Sequence, residues 1–384
     1  MTPKLDRSLI LLLAGVSALG SLAIHLFVPA MPAVAKELAS GPGTVQLTIS
    51  LYLLGLGAGQ LAAGPISDAI GRRPVLFAGI AIFAAASALA ALAPNVEMLL
   101  AARLIEAAGA AASMVAARAL VSDLSVREET PANLASLASA VLLSPTFAPT
   151  LGGALVSLAG WRFVFVALAL AGIMAGVAAV RLVPHQPLLG TPPHLGRSYL
   201  RLARNARFRS YVAGNSLASS ALFLFLGASP FLLIGRYHLS PAQAGLCYIF
   251  IAGSAIIGTF LVRRLRGRNP FRMGLLGVAG GGAAMLVIAL LGGTGPIALI
   301  APMLLVGLGC GIASPTGLAG AMHAEDGIAG TASSLAGAIQ MLTSAGVTAA
   351  MTAIAPAALV PLAAAIFAAG FVAVILAPRE RSVQ

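Results

Sequence analysis

Apolar runs of about 20 residues follow one another along the whole chain, each closed by charged residues or by a Gly/Pro break. A run of that length matches the hydrocarbon thickness of a bilayer when it is wound as a helix. The pattern predicts twelve spans. Six lie at 8–30, 44–66, 75–93, 97–121, 132–157 and 162–183. Six more lie at 211–234, 242–262, 273–292, 297–319, 328–352 and 357–377. The break between the last two rests on Pro356, because residues 328–377 contain no charge. The fold class is therefore an all-α polytopic membrane protein. Residues 1–183 form a first six-helix bundle, 184–210 a basic linker, and 211–384 a second bundle.

Composition supports a bilayer as the solvent. Of 384 residues, 59% are hydrophobic and 9% charged, against about 25% charged in a soluble domain. The net charge of +12 does not point to nucleic acid, because the cations lie in short loops between apolar runs. With the N-terminus inside, eighteen of the 23 Lys and Arg residues fall on one side of the membrane. Lys36, Arg162 and Arg236 fall on the other, and Arg103 and Arg118 lie within a span. The positive-inside rule then places both termini in the cytoplasm of a bacterial inner membrane. Lys4 and Arg7 precede the first run, and Ala33-Val34-Ala35 resembles a signal-peptidase site. The run is longer than a signal h-region, so it is read as a retained helix. The linker carries Arg197, Arg201, Arg204, Arg207 and Arg209 and no acid. It is read as a charged connection, with a basic helix on the anionic inner leaflet as the alternative. Cys247 and Cys310 lie in apolar runs, without metal or disulfide spacing, and are read as packing residues.

Two segments recur at nearly one offset. Gly71-Arg72-Arg73-Pro74 is matched by Gly267-Arg268-Asn269-Pro270. Leu137-Ala138-Ser139-Ala140-Val141 is matched by Leu335-Ala336-Gly337-Ala338-Ile339. The pair implies a duplicated six-helix unit, an arrangement that places a transport site between its halves.

The most specific motif is Gly64-Pro65-Ile66-Ser67-Asp68-Ala69-Ile70-Gly71-Arg72-Arg73-Pro74. Gly64 and Gly71 allow a tight turn between antiparallel helices, and Asp68 puts an acid on a face otherwise rich in cations. This loop resembles the signature of the major facilitator superfamily. The resemblance implies that Gly64, Asp68, Gly71, Arg72 and Arg73 form a conformational latch. Asp68 would meet the N-terminus of the eleventh span when the transporter faces outward, and Asp123 would pair with the loop arginine. Pro29-Ala30-Met31-Pro32, Leu99–Gly109, Ala148–Gly153 and Gly330–Gln340 resemble motifs of the bicyclomycin/chloramphenicol-resistance branch of multidrug:proton antiporters. That resemblance covers the whole chain. It implies that Pro145, Pro149, Gly152 and Gly153 form a hinge in the fifth span, with the prolines breaking the helix. The chain departs from the branch where His25 replaces an Asp, Phe27 a Tyr, Glu106 a Gln, Ala107 a Gly, and Ala148 a Gly.

Arg103 and Glu106 share one helix face, and Glu106 is the only carboxylate well inside a span. Glu106 and His25 are the candidates for proton coupling, with a structural ion pair and a packing histidine as the alternatives. Arg103, Tyr52, Asn215, Gln340, Phe223 and Phe225 are candidates to line a substrate cavity, and Arg118 is read as structural or gating. There is no HExxH pair, catalytic Asp pair or Walker loop, so neither an enzyme nor ATP drive is expected. The expected function is a monomeric, proton-driven exporter of amphipathic drug-like small molecules, with no cofactor. The alternatives are a facilitator for a small metabolite such as a sugar or purine, or a non-transporting sensor.

Overall fold

Breakers in the sequence set the helix ends. Asn95, Asn205, Ser240 and Asn269 each accept a backbone N–H at a helix start, and Ser240 forms a capping box with Gln243. Gly71 turns the chain at φ +101° and Gly160 at φ +82°, conformations that an L side chain resists. The computed structural model describes residues 6–126, 128–184, 195–265, 269–325 and 328–378.

The first half holds α1 (Arg7–Phe27), α2 (Met31–Glu37), α3 (Pro42–Ile70), α4 (Arg72–Ala91), α5 (Val96–Leu124), α6 (Thr130–Ala159) and α7 (Arg162–Leu182). A short helix, α8 (Leu195–Arg204), follows. The second half holds α9 (Ala206–Pro230), α10 (Pro241–Leu261), α11 (Pro270–Leu290), α12 (Pro296–Met322), α13 (Ala329–Ile354) and α14 (Leu359–Leu376). Among the described residues, twelve helical segments are long and apolar enough to cross a membrane, with α1 and α2 making one of them.

Three details differ from the sequence reading. The first span does not end at Ala30. Pro29 and Pro32 sit in the opening turns of a 3₁₀ helix and of α2, where a proline's missing N–H is tolerated, so the span runs on to Glu37. The fifth span is not broken, since α6 runs unbroken through Pro145 and Pro149. The linker contains the helix α8, and α9 begins at Ala206, inside the segment assigned to the linker. Gly267 and Arg268 of the repeat lie outside the described residues, as do Arg127, Arg266, Arg379 and Arg381.

The duplication is nonetheless visible in packing. A Cβ at Gly79 on α4 would collide with the Ser113 nitrogen and the Gly109 carbonyl on α5. A Cβ at Gly274 on α11 would collide with the Ala313 nitrogen and the Gly309 carbonyl on α12. The same close crossing thus recurs in both halves, about 195–200 residues apart. Small residues that let backbones touch are what hold helices together where lipid is as apolar as the side chains.

The halves meet along two seams, α3 against α13 and α6 against α10. The hydrogen bonds across the seams, among the described residues, join Ser50 to Thr348 (2.9 Å), Thr352 to Gln46 (3.3 Å) and Thr150 to the Gly245 carbonyl (3.2 Å). All six residues lie in the part of their helices remote from the chain ends. There α2 also touches a π-helical turn at Phe231–Arg236. On that face Glu37 pairs with Arg162 and accepts from Trp161 Nε1 at 2.6 Å. Among the described residues, the side-chain hydrogen bonds that join the halves thus lie on the far face, and none lies toward the face carrying both termini.

Candidate functional site

The central feature is an ion pair on α5. Arg103 and Glu106 are one turn apart, so both side chains leave the same face. Arg103 Nη1 donates to Glu106 Oε2 at 2.6 Å, and both side chains are 0% exposed. Ser87 on α4 donates to Glu106 Oε1 at 2.7 Å. The guanidinium lies 3.9 Å from the Tyr52 ring centroid, 5.1 Å from Phe27 and 5.7 Å from Phe165. Tyr52 is fixed in turn by donating to the Gly20 carbonyl at 3.1 Å. Arg103 Nε and Nη2 have no hydrogen-bond partner. The pair therefore sits in a buried aromatic cage built by α1, α3, α4, α5 and α7.

This corrects the expectation that Arg103 and Tyr52 line an open cavity. Both are sealed inside the first half. The physical reason is that the ring faces stack on the cation, while Ser87 draws Glu106 toward α4.

His25 is not brought to that pair by any hydrogen bond. Its Nδ1 lies 2.7 Å from the Ser21 carbonyl, which can only accept, so Nδ1 carries the proton. Ser21 Oγ reaches toward Val141 O on α6. Phe27, which meets Arg103, is two positions on and so about 200° around the helix. His25 thus faces α6 while Phe27 faces the cage.

In the second half, Asn215 Nδ2 donates to Gln340 Oε1 at 3.0 Å. Ser220 Oγ lies 3.0 Å from Ser344 Oγ. Phe225 is buried against Tyr248 and Phe223 is half-buried. Buried Phe225 does not line an open cavity, because Tyr248 covers its ring. The sequence reading missed a stripe here. Gln340, Ser344, Thr348 and Thr352 recur every fourth residue on α13 and so share one face. The first two bond α9 within the half, and the last two bond α3 across the seam. The spacing of four was the available signal.

Of the residues expected to form a latch, Asp68, Arg72 and Asp123 are joined to one another. Arg72 pairs with Asp68 and, at 3.1 Å, with Asp123, so the expected partnership of Asp123 with the loop arginine is present. Arg73 lies over the Phe77 ring. Asp68 bonds Arg72, and no bond from it to α13 is seen among the described residues. Tyr199 of α8 approaches this loop. Partial burial, and next the Asp68 charge, push its phenol above the usual tyrosine range.

Of the residues expected to form a hinge in α6, Pro149 and Gly153 lie against α10 and Gly152 against α1. A Cβ at Gly152 would strike the Leu26 carbonyl of α1, and one at Gly153 the Pro241 carbonyl of α10. A Cβ at Gly245 would lie 2.6 Å from the Pro149 carbonyl oxygen, also inside contact distance. Arg118 is exposed on α5 near the terminal face. No group of three metal-ligating side chains occurs among the described residues. Cys310 is buried and donates to the Ala218 carbonyl.

Residues 11–348 match the family described as the Major Facilitator Superfamily. The chain is 31% identical to a chloramphenicol resistance protein of Pseudomonas aeruginosa, over 84% of this chain and 78% of that one. It is 30% identical to multidrug resistance protein D of Escherichia coli, over 93% and 91%. Its backbone is similar to that of a D-xylose–proton symporter, with a TM-score of 0.76 at 14% identity over 97% and 98% of the two chains. Signature loop, duplicated bundles and relatives agree: the chain is a membrane transporter of the major facilitator superfamily.

Proposed function

We propose that the chain exports amphipathic drug-like molecules in exchange for protons, by alternating access. Its termini would lie in the cytoplasm of a bacterial inner membrane, so that the face joined by cross-half hydrogen bonds would look outward. The relatives named for chloramphenicol and multidrug resistance support the substrate class. The observation that carries the coupling is the Arg103–Glu106 pair, which holds the one carboxylate lodged well within a span among the described residues. A proton arriving at Glu106 removes its charge and leaves Arg103 without a counter-ion in a buried site. That imbalance is a driving force for rearrangement of the cage on α1, α3 and α7. His25, facing α6, is placed to sense motion at the seam and serves as the secondary candidate. Latch and hinge then guide the halves as they rock.

The test is chloramphenicol transport in proteoliposomes under an imposed pH gradient. The wild type accumulates drug against its gradient only when ΔpH is present. Glu106→Gln, which cannot lose a proton, keeps downhill movement and loses the ΔpH-driven part. Undiminished ΔpH-driven transport by Glu106→Gln would overturn the coupling role. Movement of sugars or purines without chloramphenicol transport would overturn the substrate class.

A further inference from the structure

Two cavities adjoin at the terminal face beside α8. One, of about 770 Å³, is an apolar slot between α9 and α13 walled by Leu200, Val212, Leu217, Leu335 and Ile339. Arg209 also lines it. The other, of about 410 Å³, is lined by Leu200, Arg201, Arg204, Asn205 and Glu325. Leu200 belongs to both, so an apolar slot and a basic pocket share one wall.

The charges there are unequal. Glu325 is engaged by Arg201 Nη2 at 2.7 Å and by Asn205 Nδ2 at 3.2 Å. Among the described residues, Arg204 and Arg209 have no hydrogen-bond or ion-pair partner. Leu202 is fully buried while Arg201 and Arg204 are exposed, so α8 sits as an amphipathic cover over the slot. Arg209 and Leu217 are eight residues apart on α9, which makes the slot about 12 Å deep. One hydrocarbon leaflet is about 15 Å thick. An apolar slot of nearly leaflet depth, with two uncompensated arginines at its mouth, is complementary to an anion that carries a hydrocarbon chain.

We propose that this slot binds one anionic glycerophospholipid. Its acyl chain lies between α9 and α13, and its phosphate sits against Arg209 and Arg204. With the termini in the cytoplasm, as proposed above, this basic face lies in the leaflet where anionic lipids concentrate. The site lies on the second half and α8, apart from the Arg103–Glu106 cage, so it rests on that orientation but not on the coupling role of the cage.

The experiment is native mass spectrometry of the full chain in detergent, titrated with dioleoyl phosphatidylglycerol or dioleoyl phosphatidylcholine. One saturable phosphatidylglycerol adduct is expected at concentrations where phosphatidylcholine gives none. An arginine near an anionic headgroup contributes about fivefold in affinity, so Arg204→Gln with Arg209→Gln weakens the adduct about 25-fold. Ala213→Trp, which fills the slot and leaves every charge in place, removes it as well. Millimolar inorganic phosphate does not compete. Equal adducts with both lipids would overturn the proposal, and that comparison needs no substitution. So would an adduct that survives Ala213→Trp in a folded protein, which would be surface attraction alone. Displacement by inorganic phosphate would reassign the pocket to a free anion.

Discussion

The Arg103–Glu106 pair lends itself to a double-mutant cycle. Replacing Glu106 by Leu removes the counter-ion and leaves a guanidinium with 0% exposure. Breaking a buried pair in this way costs about 3–5 kcal/mol, because the surviving charge stays unpaired. Arg103→Met leaves Glu106 with only Ser87 to donate to it and costs a similar amount. In the double variant no charge remains, and replacing a buried pair by apolar residues is often neutral or stabilising. Against that stands the lost stacking on Tyr52, Phe27 and Phe165, about 1–2 kcal/mol for a desolvated cation. The double variant should therefore lie about 1–2 kcal/mol below wild type, well above the sum of the singles. The assay is reversible unfolding of the purified protein in mixed detergent, with tryptophan emission from Trp161 as the probe. Double-variant destabilisation equal to the sum of the singles, within about 0.5 kcal/mol, would refute the reasoning. It would mean that the two groups do not interact as the geometry shows. A double variant that is stable yet inactive in ΔpH-driven transport would separate the pair's role in coupling from its role in folding.

Two other outcomes follow from the packing. Thr348→Val with Thr352→Val removes both α3–α13 hydrogen bonds on the far face, each worth about 1 kcal/mol, and so shifts the balance about 30-fold away from the arrangement joined on that face. Spin labels at Ile70 and Leu318 should report a shorter distance across the terminal face, and an unchanged distance distribution would contradict the seam's role. Gly79→Val and Gly274→Val each place a side chain against the backbone of the neighbouring helix. Each should lower thermal stability by about 1–3 kcal/mol or more, and a loss confined to one half would argue against equivalent crossings.

Much of this protein was legible before any coordinates. The twelve spans, their even number and the two-fold arrangement follow from apolar runs and their breaks, because a bilayer allows little besides fully hydrogen-bonded helices. The break at Pro356 lies between α13 and α14, and Asp123 pairs with the loop arginine Arg72 as the signature loop implied. Such features depend on residues close in sequence or on a motif with one geometry.

What the tertiary structure decided was direction. Arg103 and Glu106 were visible as one face of a helix, but whether that face met a cavity or a cage depended on Ser87, Tyr52, Phe27 and Phe165, from four other helices. In a chain this rich in Ala and Gly, every face of a span is apolar, so hydrophobic patterning carries little about which side looks inward. The same holds for His25, turned toward α6, and for Pro145 and Pro149, which leave α6 unbroken where it packs on α1 and α10. The sequence by itself determined how many times the chain crosses and which residues carry charge. Only the packing of helices far apart in the chain decided which charges meet, and on which face hydrogen bonds join the halves.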